Sequence, residues 1–340
     1  MGKLESELLR QRLLIVGRSG YGKTNVAKGS GVEALLAAGQ RVGIFDPTDS
    51  WYGLRVKPDG VTPAFKVVIF GGEHGDMPLN ERAGRAMGEA LARANDSWII
   101  SLSEMVTEAA REKFSAAFLE AFYDHNRAPI TLVLDEAETF APQKPASPLQ
   151  ATMTARVNQI VKRGRKRGFV TWLITQRPAD IAKAVISQAD AIVSMSLTLP
   201  HDKRAIMEYV KDHDEDGAAA TMFKSMPSLL RGEGIVWWPA ARILERRHFP
   251  LTRTFDSGKT PEPGDVVAEL KPLKIESLAK TLEDVVAEQE ARDPDKLLAR
   301  IRELEAAQKK PAQQVADDNA LKEAQADGVK QGFRLQEDLR

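Results

Sequence analysis

Three observations predict an α/β fold built on a mainly parallel sheet. The first is the apolar run Leu13-Leu14-Ile15-Val16, followed at once by Gly17-Arg18-Ser19-Gly20-Tyr21-Gly22-Lys23-Thr24 and then by a helix-compatible stretch through Ala37. The second is the alternation of short apolar runs with helix-like segments over the first 250 residues. That alternation is the signature of parallel strands connected by covering helices. The third is the punctuation of the joints by Gly and Pro, at Asp46-Pro47, Gly71-Gly72, Ala141-Pro142 and Arg177-Pro178.

The elements follow in order. Strands are predicted at 13–17, 42–46, 67–70, 98–102, 130–135, 169–175, 191–196 and 234–238, where apolar runs are too short for buried helices. Helices are predicted at 24–38, 80–94, 107–125, 149–167 and 200–209. Residues 71–76, Gly-Gly-Glu-His-Gly-Asp, are expected to form a loop. Trp51-Tyr52, Trp172 and Trp237-Trp238 stand in or beside apolar strands and are expected to pack rather than bind. Composition shifts near Phe255, where Ser257–Gly264 reads as a linker. The expected division is a core over 1–254 and a helical, coiled or partly disordered tail over 255–340. In that tail Leu297, Ile301 and Leu304 form a short a/d-like stripe between Pro294 and Pro311.

The segment 17–24 fits G-x-x-x-x-G-K-[ST], the phosphate-binding loop. Backbone N–H groups and the following helix dipole cradle phosphate charge in such a loop. The candidate nucleotide-binding residues are Gly17, Ser19, Gly20, Gly22, Lys23, Thr24 and Asn25. Lys23 would reach the β- and γ-phosphates, and the Thr24 hydroxyl would ligate Mg²⁺. Ile130–Leu134 is an apolar run that ends in Asp135-Glu136. Asp135 is placed to hold Mg²⁺ through water and Glu136 to polarise the attacking water as general base. Phe169–Thr175 is a second such strand, ending in Gln176, which can orient water or sense the γ-phosphate. An acid pair beside a Gln-ended strand suits water activation better than transfer to a phospho-acceptor. The chain contains no Asn-Lys-x-Asp guanine-reading motif.

Lys162-Arg163-Gly164-Arg165-Lys166-Arg167 places five cations in six residues. Either these solvate a helix end or they present an arginine finger to a neighbouring subunit's nucleotide and touch DNA phosphates. Arg165 is the favoured finger, with Arg163 and Arg167 as alternatives.

The chain has 340 residues and zero formal net charge. The charge is uneven, because residues 255–340 hold 14 Lys/Arg against 19 Asp/Glu, a net of −5, and the remainder therefore carries +5. A neutral total does not exclude nucleic-acid binding, which needs only a local basic surface. Cysteine is absent, which excludes a disulfide framework and thiolate metal sites and fits a reducing compartment. The five histidines, at 74, 125, 201, 213 and 248, have no metal-ligand spacing. The N-terminus lacks a signal-peptide core, and no segment approaches the roughly 18 apolar residues of a membrane span. A cytoplasmic protein without a membrane anchor is expected.

Taken together, Gly17–Thr24, Leu134-Asp135-Glu136-Ala137 and the block 164–204 resemble the HerA/FtsK superfamily of hexameric DNA-pumping ATPases, and more closely its HerA branch. That block reads Arg-Lys-Arg-Gly, an apolar strand, Thr-Gln-Arg-Pro, Asp180-Ile181, Ser187-Gln188-Ala189-Asp190, and Leu197-Thr198-Leu199-Pro200-His201-Asp202. The resemblance covers roughly residues 12–250. It implies a RecA-like P-loop NTPase fold, ATP and Mg²⁺ as cofactors, DNA as partner and a homo-hexamer. It also implies a nucleotide-state sensor at Gln176 and a trans-acting arginine at Arg165, three residues before Gly168. Phe45-Asp46-Pro47-Thr48-Asp49 resembles the family's Asp-Pro loop near the nucleotide, which marks Asp46. HerA proteins usually begin with a small β-barrel; about ten residues precede the first strand here, so neither the barrel nor a nuclease docked on it is expected. The function expected is an ATP-hydrolysing, ring-forming motor that translocates along or remodels DNA. The alternative is an oligomeric ATPase scaffold whose nucleotide state controls a protein partner, such as a nuclease or defence effector, through its acidic tail.

Overall fold

The sheet is assembled around the first strand of the chain. In the computed structural model, residues 4–259 are described continuously, followed by 263, 266–273, 275–276, 278–282, 284, 302 and 325–326. Among these residues nine strands form one sheet in the order β3-β4-β2-β5-β6-β1-β7-β8-β9. They are β1 (Leu13–Val16), β2 (Val42–Asp46), β3 (Val68–Phe70), β4 (Trp98–Ser101), β5 (Ile130–Leu134), β6 (Phe169–Thr175), β7 (Ala191–Ser194), β8 (Glu233–Trp238) and β9 (Ile243–His248). Pairing is parallel from β3 to β7 and antiparallel across β7-β8 and β8-β9. The central strands are buried on both faces and so read as unbroken apolar runs, as parallel strands do.

One face of the sheet is covered by helices Gly84–Arg93, Glu108–His125 and Pro148–Arg163. Thr107 and Ser147 cap the latter two by accepting from the N–H groups of Ala110 and Gln150, which satisfies donors that a helix start leaves open. An aromatic cluster fills this layer: Phe45 meets Phe118 edge-on at 5.2 Å, and Trp98 meets Phe118 at 5.4 Å. The opposite face carries the helix that follows the phosphate loop. It begins as Lys23–Asn25, widens into a π-helix over Val26–Val32 and resumes as Glu33–Ala37. Such widened turns recur at functional sites.

The strands and the five long helical segments match the sequence expectation to within a few residues at their ends. Three differences have physical reasons. β9 escaped prediction because it is a charged edge strand, Ile-Leu-Glu-Arg-Arg-His, with only two apolar residues. The predicted helix over 149–167 ends at Arg163, and Gly164–Arg167 forms a 3₁₀ turn closed by Gly168 in the left-handed region. The segment read as the start of a linker is part of the packed unit: Ser257 Oγ donates to Ser50 O at 2.6 Å and accepts from Lys28 Nζ at 3.0 Å. The compact unit holding the sheet extends to Leu282, and Glu283–Arg340 forms a second unit. The stripe at 297, 301 and 304 lies outside the described residues. Among the described residues no helix is long and apolar enough to cross a membrane.

Candidate functional site

Parallel registry brings the candidate residues to one edge of the sheet. Val16 pairs with Thr175 and Phe45 with Leu134. The carboxyl ends of the four adjacent strands β2, β5, β6 and β1 therefore emerge side by side. Ligands of open α/β sheets bind outside those ends. A cavity of about 230 Å³ opens there. The phosphate loop contributes Ser19, Gly20, Gly22, Lys23, Thr24 and Asn25 to its wall. The turn directly after β5 contributes Asp135 and Glu136, the end of β6 and the residue after it contribute Thr175 and Gln176, and the turn after β2 contributes Thr48 and Ser50.

Of the predicted loop residues, Gly17 lies outside this lining. Its small size serves packing instead, because a Cβ there would come within 2.5 Å of the Met195 Cβ. Gly22 holds φ +101°, a conformation that favours glycine, and starts the helix directly before Lys23. Lys23 Nζ donates to Arg18 O at 3.3 Å, and burial lowers its pKa against the pull of Asp135.

Asp135 is buried at the cavity floor. Its Oδ2 accepts from Trp51 Nε1 at 2.8 Å and its Oδ1 from the Glu136 N–H at 3.0 Å. Burial raises the Asp135 pKa, and the Trp51 bond opposes that rise. Each carboxylate oxygen keeps acceptor capacity, and the Thr24 hydroxyl faces the same cavity. Among the described residues no group of three or more His, Asp or Glu forms a metal cage. The Thr24 hydroxyl and the Asp135 carboxylate make a donor set that fits Mg²⁺, a metal held by few protein oxygens together with substrate phosphates. Thr24 would bind it directly and Asp135 through water, and the ion would neutralise developing phosphate charge.

Glu136 sits at φ +47°, an uncommon conformation for a residue with a side chain and one that clusters at functional sites. Burial, then the neighbouring Asp135, raises its pKa, as suits a general base. Asp46, marked by the family resemblance, is fully enclosed behind the pair. It accepts from Trp51 N at 2.8 Å and Thr48 N at 3.2 Å, and its pKa is pushed up to about 7 by burial and then by Asp135.

Several functional positions escaped the sequence reading. Trp51 was expected only to pack, yet its indole N–H orients Asp135; a Trp following an Asp-Pro turn carries no such signal. Lys28, within the π-helix, is buried, donates to Ser50 O at 2.8 Å, and has its pKa lowered to about 8 by burial. Glu138, two residues after the proposed base, interacts with Thr175 at the end of β6, and burial raises its pKa to about 7. Arg231, Asp256, Gly258 and Lys259 close the cavity from the far end of the chain. Asp202 is buried, accepts from Ala179 N at 3.2 Å and lies 3.8 Å from Arg177, which fixes the turn after Gln176.

Arg165 stands apart from the cavity. It precedes β6 at the amino end, whereas the cavity lies at the carboxyl end of this seven-residue strand, roughly 20 Å away. It is exposed. Arg167, by contrast, donates to Tyr123 O at 2.7 Å and stacks 4.4 Å from the Tyr123 ring.

Removing the indole donor with Trp51→Phe should raise the Asp135 pKa. The acid limb of the ATPase pH profile then moves to higher pH. Stability falls by about 1.5–3 kcal/mol, the usual cost of losing a hydrogen bond to a charged group. Rate–pH curves and urea unfolding measure the two effects.

A phosphate loop after a central β1, an acid pair on β5 and a parallel sheet bearing its cavity at the strand ends define a P-loop NTPase. No family model matches the chain. It is 28% identical over 158 residues to a probable helicase of Methanocaldococcus jannaschii, a match covering 46% of this chain and 26% of that protein. It is 25% identical over 138 residues to a probable DNA double-strand break repair helicase HerA of the same organism, covering 41% of this chain and 25% of that one. The matches thus span about a quarter of the length of these curated relatives. The fold is similar to that of the bacterial conjugative coupling protein TrwBdeltaN70, with a TM-score of 0.52 at 11% identity over 74% of this chain and 88% of that one. Over these segments the chain is similar in sequence to proteins named as helicases, one of them HerA, and in fold to a conjugative coupling protein, as a P-loop ATPase resembling the HerA/FtsK superfamily would be.

Proposed function

We propose that this protein is an ATP-hydrolysing motor subunit that acts on DNA as a homo-oligomeric ring, a hexamer by family analogy, in the cytoplasm. The convergence of Lys23, Thr24, Asp135, Glu136 and Gln176 on one cavity supports the reading most directly. In this reading Gly20, Gly22, Lys23 and Thr24 hold the phosphates, with Ser19 and Asn25 at the loop's flanks. Thr24 directly and Asp135 through water would hold Mg²⁺, which would neutralise charge on the phosphates. Glu136 draws a proton from the attacking water. Gln176, on the strand beside it, senses whether the γ-phosphate is present. Arg165 acts on a neighbour's nucleotide. The names of the curated relatives, a helicase and a break-repair helicase, support DNA as partner.

The test is the steady-state ATPase rate with and without double-stranded DNA, with Glu136→Gln as the control for contaminating activity. Stimulation by DNA that disappears in the variant is the expected outcome. Hydrolysis indifferent to DNA overturns the motor reading in favour of a partner-controlled ATPase scaffold.

A further inference from the structure

The phosphate cavity is too small for a whole nucleotide. Its volume of about 230 Å³ lies below the roughly 300–1,000 Å³ of small-molecule sites. Its lining is charged and polar and contains no aromatic ring. A nucleoside triphosphate has one highly charged end and one flat aromatic end, so half of the ligand is unaccounted for.

A second cavity, of about 730 Å³, adjoins the first and shares Asn25, Asp256 and Lys259 with it. Its character is different. Tyr52, His74 and Phe255 line it. Tyr52 and His74 stack at 3.7 Å, and Phe255 lies 6.2 Å from Tyr52 at a tilt of 33°. Leu251, Val266 and Val267, which also line it, are 82%, 54% and 79% exposed. Such large apolar side chains left open beside a polar site suit a flat apolar ligand.

The wall is built, not incidental. Asn25, next to the phosphate loop, donates from Nδ2 to Pro250 O at 2.9 Å and accepts on Oδ1 from Thr252 N at 3.0 Å. Glu33, on the same helix, is fully buried and accepts from Arg253 N at 2.9 Å, Thr254 N at 2.9 Å and Thr254 Oγ1 at 2.8 Å. The segment 250–259 is thus clasped to the helix that bears the phosphate loop, which preorganises the two cavities relative to each other.

We propose that this second cavity holds the nucleoside end of the bound nucleotide. The base stacks on the Tyr52–Phe255 wall and the ribose sits at the neck between Asn25 and Asp256. The assignment rests on reading the first cavity as the triphosphate site.

The experiment is calorimetric titration of the full chain with ATP and, separately, with inorganic tripolyphosphate. Phe255→Ala and Tyr52→Leu should weaken ATP by about tenfold, as lost base stacking does, and leave tripolyphosphate within about twofold. Lys23→Ala should weaken both ligands. Unchanged ATP affinity in both aromatic variants overturns the base site while the Lys23 result still upholds the phosphate reading. Indifference of both ligands to Lys23→Ala overturns both. Photolabelling of the wild-type chain with 8-azido-ATP covers the case in which a variant fails to fold. Label on residues 52–58, 73–74 or 251–259 supports the site, and label confined elsewhere overturns it.

Discussion

Arg165→Ala should lower ATP turnover of the assembled protein by about a thousandfold or more, the range found when an arginine finger is lost, and leave nucleotide affinity unchanged. The expectation follows from position. Arg165 lies at the amino end of β6, a strand's length from its own cavity, so it cannot serve the nucleotide of its own subunit. It is exposed, while Arg167 is committed to Tyr123 and Asp124 carbonyls. Arg167→Ala should therefore destabilise the fold around helix Glu108–His125 rather than selectively abolish turnover. A mixing experiment isolates the trans action. Arg165→Ala subunits keep an intact cavity, and Glu136→Gln subunits keep an intact finger. Co-assembly should restore part of the activity that each lacks alone, read as a rise in ATPase rate on mixing. Absence of rescue, with both variants assembling normally, would remove Arg165 from the finger role and pass it to Arg163.

Glu136→Gln should lower turnover by about a hundred- to ten-thousandfold, the usual contribution of a positioned base, while ATP still binds. Gln conserves shape, so the left-handed turn at 136 and its N–H bond to Asp135 Oδ1 survive. Only the capacity to accept a proton is lost. Its elevated pKa, caused by burial and by Asp135, makes the wild-type group a stronger base than an exposed glutamate. Single-turnover hydrolysis and equilibrium ATP binding separate the two effects. Near-normal turnover in the variant would shift the base role to Glu138, which is also raised, to about 7, and interacts with Thr175.

The candidate residues that meet at the cavity were legible because the chain concentrates them at strand ends. Buried parallel strands show as apolar runs, and a glycine or polar residue directly after such a run, as at Gly17, Asp135 or Gln176, marks the carboxyl edge of the sheet. What stayed hidden depended on contacts far apart in sequence. Trp51 orients Asp135 across 84 residues, and Glu33 clasps 253–254 across more than 200. The composition of 257–264, rich in Gly and Pro, suits a linker, yet Ser257 accepts from a buried Lys28. The π-helix was equally invisible, because Val26–Val32 satisfies helical periodicity whichever carbonyl each N–H selects. β9 was missed since its partners are charge pairs such as Arg246–Glu233 at 2.5 Å rather than a core.

The position of β1 at the middle of the sheet has a consequence for how the chain is made. Leu13–Val16 leaves the ribosome before the other eight strands of the sheet, yet its two neighbours are β6 and β7, encoded more than 150 residues later. Until Phe169–Thr175 is synthesised, four wholly apolar residues have no strand on either side. Even then the nucleotide pocket stays open, because its outer wall arrives only with 250–259. At the usual 5–20 residues per second of synthesis, that is a wait of roughly ten seconds or longer with an aggregation-prone segment exposed. The nascent chain thus has a strong need for chaperone cover over its first strand. Any fragment stopped short of the final wall should emerge as a nucleotide-blind, sticky polypeptide rather than a smaller working enzyme.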